Sequence, residues 1–247
     1  MTDIPAPGVY RLQKHGATRA EYEDAMAWSQ KQRRFAIADG ASASAFARLW
    51  AQLLVHAYVD GHLSAENVEA DLVPLQVRWT ASVEQRDLPW YAVEQARRGA
   101  FAALVGLTLY DCGEWRAMAI GDSCMFQVRD GAVVAALPLA DAEAFDNRPL
   151  LLGSRPAANA QLRTSGAIVS ACGSWRAGDT FLLMSDALAA TFLRQLHANE
   201  SPALNVLAFE RNAGGFRRWI ATLRAERLLR NDDVSLLWLA LPDDAAA

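Results

Sequence analysis

Apolar and polar positions follow different rhythms along this chain, and each rhythm predicts a different kind of element. Residues 35–40, Phe-Ala-Ile-Ala-Asp-Gly, are apolar without polar alternation, which reads as a strand buried on both faces and closed by an acid and a glycine. Phe46, Leu49, Trp50, Leu53, Leu54 and Ala57 then recur at helical spacing, predicting a helix over 42–59 with Ser42 as its N-cap. Helical spacing returns over 64–85, interrupted by Pro74, and over 90–98, where Pro89 stands near the start. The middle of the chain changes character: 101–110 and 115–120 are β-compatible runs joined by the turn Asp111-Cys112-Gly113-Glu114. Residues 124–128 and 132–137 continue after Gly121-Asp122-Ser123, predicting a meander of antiparallel strands with a bend at Asp122.

The order strand, acid, helix recurs downstream. Phe181-Leu182-Leu183-Met184-Ser185-Asp186 is a second apolar run closed by an acid, with a helix predicted over 187–196. Two more helices are expected over 202–211 and 216–229, and a last strand over 234–241 follows Arg230-Asn231-Asp232-Asp233. Towards the N-terminus, 8–12 reads as an edge strand and 14–18 as a turn around Gly16. In 19–28 acids give way to small and apolar residues, and charge alone favours a short amphipathic helix with solvated acids. Were the segment extended, Asp24 would share a face with Tyr22 and Met26 while Glu23 pointed the other way. Residues 141–166, rich in Pro, Asn and Arg, read as a long loop or flap, and 168–172 as a strand.

Length and composition narrow the classes. With 247 residues, 52% of them hydrophobic, the chain can bury a sizeable core as one large domain or two small ones. A net charge of −4 gives no support for a nucleic-acid surface, and the densest basic cluster, Lys31-Gln32-Arg33-Arg34, reads as a solvated edge. No apolar stretch is long enough to predict a transmembrane helix, and the acidic, proline-bearing start is unlike a secretory signal. Cys112, Cys124 and Cys172 lack metal-ligand spacing, which suits reduced thiols in the cytoplasm, and Asn199-Glu200-Ser201 means nothing without secretion. His15, His56, His62 and His197 show no common spacing, although His15 stands close enough to Arg19 to be a candidate for proton transfer.

The acids carry the chemistry. Asp24, Asp39, Asp122, Asp186 and Asp232 all stand at or beside predicted strand ends, with no histidine or cysteine cluster among them. Hard oxygen donors without nitrogen or sulfur select Mg²⁺ or Mn²⁺ over zinc. Converging carboxylates repel one another unless divalent cations neutralise them, and two such cations can activate a water for in-line displacement at phosphorus. A neighbouring arginine can grip phosphate oxygens as a two-pronged donor.

Five short motifs in order resemble the metal-dependent protein phosphatase family, type 2C, in a compact bacterial form. They are Arg19-x-x-x-Glu23-Asp24-Ala25, Ala38-Asp39-Gly40, Gly121-Asp122-Ser123, Ser185-Asp186 and Asp232-Asp233-Val234-Ser235. The resemblance implies an α+β fold, a four-layer α-β-β-α sandwich with two antiparallel sheets face to face. It spans 14–241, leaving 1–13 as an edge segment and 242–247 as a flexible tail. It further implies that Asp39 bridges two Mn²⁺ or Mg²⁺ ions and that the Gly40 carbonyl binds one of them. Asp186 and Asp232 would ligate one ion directly, Asp24 and Glu23 would hold the other largely through waters, and Asp122 would share a weaker third position with Asp186. Arg19 would bind the substrate phosphate.

The implied activity is hydrolysis of phosphoserine and phosphothreonine in proteins by direct attack of metal-bound water, without a phosphoenzyme. The absence of a Cys-x5-Arg nucleophile loop agrees with that. The implied partner is a phosphoprotein made by a serine/threonine kinase, with no nucleic acid and no membrane. The alternative is a catalytically weak phosphatase-like module that binds a phosphoprotein. Three positions depart from the family pattern: Ala187 replaces glycine after the aspartate, Cys124 replaces arginine at a place expected to be remote from the ligands, and Asp233 replaces asparagine, adding negative charge.

Overall fold

The unalternating apolar runs form strands whose two faces are both covered, by the other sheet on one side and by helices on the other. The structure, a computed structural model, describes residues 4–145, 149–164, 166–198, 200–209 and 212–242. One sheet runs in the order β1 (Gly8–Leu12), β11 (Val234–Ala240), β10 (Thr180–Met184), β6 (Cys124–Arg129), β7 (Ala132–Leu137). The other runs β2 (Ala25–Ser29), β3 (Arg34–Gly40), β4 (Phe101–Leu109), β5 (Glu114–Ile120), β9 (Val169–Ser174), with the short β8 (Leu152–Gly153) beside the start of β4. Neighbouring strands are antiparallel throughout.

Residue parity decides which layer each side chain joins. Phe35 and Ile37 meet Val105, Phe181, Leu183 and Leu237 between the sheets. Ala36 and Ala38, one step out of phase, pack under Trp50 and Leu54 of α1 (Ala47–Val59), with Trp79 of α2 (Val68–Glu84) in the same core. On the far side Leu182, Met184 and Leu236 pack under Phe192 of α4 (Asp186–His197) and Phe216 of α6 (Ala213–Ala225). The short helices α3 (Trp90–Arg98) and α5 (Pro202–Leu207) complete the outer layers. The result is the four-layer α-β-β-α sandwich expected from the motifs.

Local expectations fail where tertiary pairing outweighs local pattern. Residues 19–28 are not a helix: a single 3-10 turn, Arg19–Glu21, gives way to β2, because pairing with β3 buries Ala25, Met26 and Ala27. Ser42 does not cap α1, which starts behind Phe46 at φ 58°; the Ser42 hydroxyl bonds Glu23 and accepts from Lys14 instead. Pro74 lies inside an unbroken α2, where both it and Ala70, whose carbonyl it leaves without a helical donor, are exposed to solvent. The expected meander is divided: β4 and β5 belong to one sheet, β6 and β7 to the other. The chain crosses at Gly121, where φ is +91° and a Cβ would come within 2.6 Å of the Ala103 Cβ. Within 141–166, the described residues are tied down rather than flap-like: β8 pairs with β4, and the Asn159 amide bonds both the N–H and the carbonyl of Gly153. Residues 146–148 and 165 of that segment lie outside the described residues, as do Asn199, residues 210–211 of the helix expected over 202–211, and residues 243–247 of the tail expected over 242–247.

The end of β10 remote from Asp186 is fixed by a buried acid. Asp179 accepts from Arg129 through Nε and Nη2, both at 2.7 Å, from Gln127 Nε2 at 2.8 Å and from the backbone N–H of Arg176 at 3.0 Å. Burial alone would push its carboxyl up; these donors outweigh it and hold the group below the usual aspartate range. A depressed folded value means that the stabilisation is present above the unfolded pKa of about 3.9 and is lost as pH falls through the folded value. Asp179→Ala is therefore expected to cost about 3 kcal/mol at pH 7, by leaving Gln127 and Arg129 unpaired. Denaturant melts at pH 7 and pH 3 check this, and the gap to wild type should shrink at the lower pH.

Candidate active site

Five points along the chain deliver carboxylates to one edge of the sandwich. Ala25 lies opposite Ala38 and Met26 opposite Ile37, so the register sets Asp24 opposite Asp39 on the inter-sheet side. From the facing sheet, β10 ends at Met184 and Asp186 opens α4, while Asp232 and Asp233 precede β11. The crossing at Gly121 brings Asp122 to the same edge. Asp39, Gly40, Asp122, Asp186 and Asp232 line one cavity of about 240 Å³. Gly40 has to be glycine here, because a Cβ would stand 2.7 Å from the Glu23 carbonyl and 3.0 Å from the Ala47 Cβ.

Asp24 lies behind this cavity, 3% exposed. Its Oδ2 accepts from the Ser235 hydroxyl at 2.6 Å, and Ser235 is bonded in turn to the Tyr22 hydroxyl, a chain that ties the two sheets together. Asp24 Oδ1 is buried without a hydrogen-bond partner. Burial above all pushes the Asp39 carboxyl well above its ordinary value, and the charges of Asp24, Asp186, Asp122 and Asp232 add to it. Burial likewise raises Asp24, opposed by Ser235 and reinforced by Asp233 and Asp186. Asp186 is raised by burial against the opposing charge of Arg230.

Such a set fits divalent cations in kind: hard oxygen donors only, more negative charge than the edge can neutralise, and an orphaned buried oxygen. Among the described residues no three His, Cys, Asp or Glu side chains are arranged to hold a metal. Asp186 Oδ2 and Asp232 Oδ2 are turned instead to the guanidinium of Arg230, the latter at 3.0 Å, and Asp186 Oδ1 takes the N–H of Ala187.

The other expected site residues lie around this cavity rather than in it. Glu23 pairs with Lys14 Nζ at 3.3 Å and with Ser42. Asp233, the extra negative charge, accepts from the backbone N–H groups of Lys14 at 2.9 Å and Glu23 at 2.7 Å, and so fixes the strand-entry segment. Arg19 lines a separate, larger recess that shares Asp24. His15 does not line the acid cavity; its backbone is bonded on both sides to the Asn231 amide. Cys124 is not remote from the acids, since its Sγ contacts the Asp122 carbonyl at 3.4 Å. Arg230 was missed in the sequence although it stands two residues before Asp232, as was Arg224, which donates to the carbonyls of Asp232 at 2.6 Å and Gln13 at 3.0 Å.

Comparison with curated protein sequences finds no match. Solved structures resemble the whole chain. The serine/threonine phosphatase PstP/Ppp of Mycobacterium tuberculosis has a TM-score of 0.58 and 20% identity, covering 96% of this chain and 98% of that one. The PstP catalytic domain in complex with two manganese ions gives 0.58 and 19%, with coverage of 96% and 98%. RsbX in complex with magnesium gives 0.51 and 14%, with coverage of 98% and 100%. At these identities the likeness is one of fold. The family model for protein phosphatase 2C matches residues 13–231, and the chain therefore belongs to the protein phosphatase 2C family.

Proposed function

We propose that this chain is a Mg²⁺- or Mn²⁺-dependent phosphatase that removes phosphate from phosphoserine or phosphothreonine in proteins, its substrate supplied by a serine/threonine kinase in the cytoplasm. The observation that carries this reading is the convergence of Asp39, Asp122, Asp186 and Asp232 on one cavity, with the unpartnered oxygen of Asp24 behind it. In this reading Asp39, the Gly40 carbonyl, Asp186 and Asp232 hold two ions, with Asp24 and Glu23 supporting one and Asp122 a weaker third. Divalent ions bound there would activate a water and stabilise the charge that develops as phosphorus is displaced in line. The protein groups do the rest. Arg19, which is exposed and lines the neighbouring recess that shares Asp24, would supply N–H donors to the phosphoryl oxygens. Lys14 and Ser42 hold Glu23, and the Tyr22–Ser235–Asp24 chain holds the Asp24 carboxyl in one orientation.

One observation favours the second reading, a phosphatase-like module that binds without turnover: Arg230 occupies the carboxylates of Asp186 and Asp232. The two are separated by measuring phosphate release from para-nitrophenyl phosphate and from a phosphothreonine peptide with Mn²⁺, with Mg²⁺ and with chelator. Turnover that requires metal is the expected result. Absence of turnover together with calorimetric Mn²⁺ binding would overturn the enzyme reading in favour of the module.

A further inference from the structure

The recess that Arg19 lines is larger than the acid cavity, about 560 Å³, and of opposite charge. It opens where the edge strands β1 and β2 leave the sandwich uncovered, between α1 and α6. Arg11, Arg19, Arg48 and Arg217 line it, with His56 beside them. They come from four separate segments: β1, the 3-10 turn, α1 and α6. All four arginines are exposed, and among the described residues none of their guanidinium groups makes an ion pair or a hydrogen bond. The only acid in the lining is Asp24, which is 3% exposed and bonded to the Ser235 hydroxyl.

Some arginines elsewhere are ion-paired, Arg33 with Asp111, Arg129 with Asp179, Arg163 with Glu69 and Arg176 with Asp130. In a chain of net charge −4, four uncompensated guanidinium groups around one recess are a local reversal of sign. Their mutual repulsion is relieved by an oxyanion, and planar two-pronged donors match a phosphoryl group. Arg48 also lines the neighbouring recess of Glu21 and Glu23, but several guanidinium groups around one opening still favour a dianionic phosphoryl group over a single carboxylate.

We propose that this recess, through Arg11, Arg48 and Arg217, binds a second phosphoryl group of the polypeptide substrate, Arg19 being left to the phosphate at the acids, so that the protein prefers multiply phosphorylated segments. The inference rests on the phosphoprotein reading above. Asp24 joins the two places: it forms part of the recess wall, and the register sets it opposite Asp39 of the acid cavity. A substrate held in the recess therefore presents its other phosphate to the acids at a raised effective concentration.

The test uses the full chain with chelator, so that binding is read without turnover, and fluorescence anisotropy of three otherwise identical peptides. One carries a single phosphothreonine, one carries two, and one carries a phosphothreonine with glutamates at the second position. The doubly phosphorylated peptide is expected to bind at least tenfold more tightly than the other two. Arg48→Gln/Arg217→Gln should abolish that preference, while Arg97→Gln/Arg98→Gln on α3, which lowers net charge equally, should not. Hydrolysis of para-nitrophenyl phosphate with Mn²⁺ should be unchanged in the recess variant. Equal binding of the singly and doubly phosphorylated peptides, a preference that survives the recess substitutions, or a glutamate peptide as tight as the doubly phosphorylated one each overturns the proposal. A preference present in binding without Mn²⁺-dependent phosphate release would sink the enzyme reading and leave the recess standing.

Discussion

Asp39→Asn is expected to lower metal-dependent phosphate release about a thousandfold and, in the same protein, to raise the melting temperature measured with chelator. The first effect follows from the proposed bridging position: several kcal/mol of transition-state stabilisation depend on the cations being held, and about 4 kcal/mol is three orders of magnitude in rate. The second follows from the electrostatics of the metal-free edge. Asp39 is raised well above its ordinary value by burial and by the charges of Asp24, Asp186, Asp122 and Asp232. A raised folded value means that the group's contribution to stability is fully present below the unfolded pKa and is lost as pH rises through the folded value. The asparagine amide carries no such charge. In chelator the variant should match wild type near pH 4 and exceed it at pH 8, by roughly 2–4 °C for each kcal/mol of repulsion removed. Gain of stability with loss of activity is the behaviour of a residue whose charge serves function rather than folding. A variant that melts below wild type at pH 8 in chelator would show instead that the Asp39 carboxylate is held by favourable contacts, and the repulsion argument would fall.

The parts of this site that were legible in the sequence are those where one local pattern carries the whole message. Asp39 and Asp186 each close an unalternating apolar run, so an acid at the end of a doubly covered strand could be read directly. Asp122 was flagged by Gly121, because a glycine inside an apolar strand marks a bend, though not that the bend carries the chain from one sheet to the other. A hairpin turn looks the same whether the next hairpin joins its sheet or the facing one. Asp24 was misjudged by pattern: Ala25-Met26-Ala27 is too short for periodicity to decide, and its burial comes from pairing with β3. Its place beside a run of small apolar residues put Asp24 among the candidate acids, and the resemblance gave it a role. The arginines were hidden for another reason. Arg230 meets Asp186 across 44 positions, and the cationic recess gathers β1, α1 and α6. Nothing in local spacing encodes a juxtaposition made by packing.

Arg230→Ala is expected to bind Mn²⁺ at least tenfold more tightly than wild type while melting lower in chelator. The Arg230 guanidinium bonds both Asp186 and Asp232, two carboxylates proposed to hold a cation, so an ion bound by both would have to displace it. Removing the competitor removes that cost, and a tenfold change in affinity corresponds to about 1.4 kcal/mol. Without metal the same substitution leaves Asp186, whose carboxyl is already raised by burial, facing Asp232 without a counter-charge. The Arg230 side chain is 54% exposed, so solvent screens the pair and the loss is about 1 kcal/mol rather than the larger figure for a fully buried bridge. Saturating Mn²⁺ should reverse the deficit, because the ion then neutralises the acids itself. Calorimetric titration of Mn²⁺ into the chelator-treated proteins, with melts before and after, reads both effects. Arg230→Lys, which keeps the charge and loses the planar fork, should fall between wild type and alanine. An unchanged affinity would mean that the carboxylates release the guanidinium at no cost. A weaker affinity would mean that Arg230 orients Asp232 for the ion rather than competing with it, and the arginine would then belong to the site as a positioning residue.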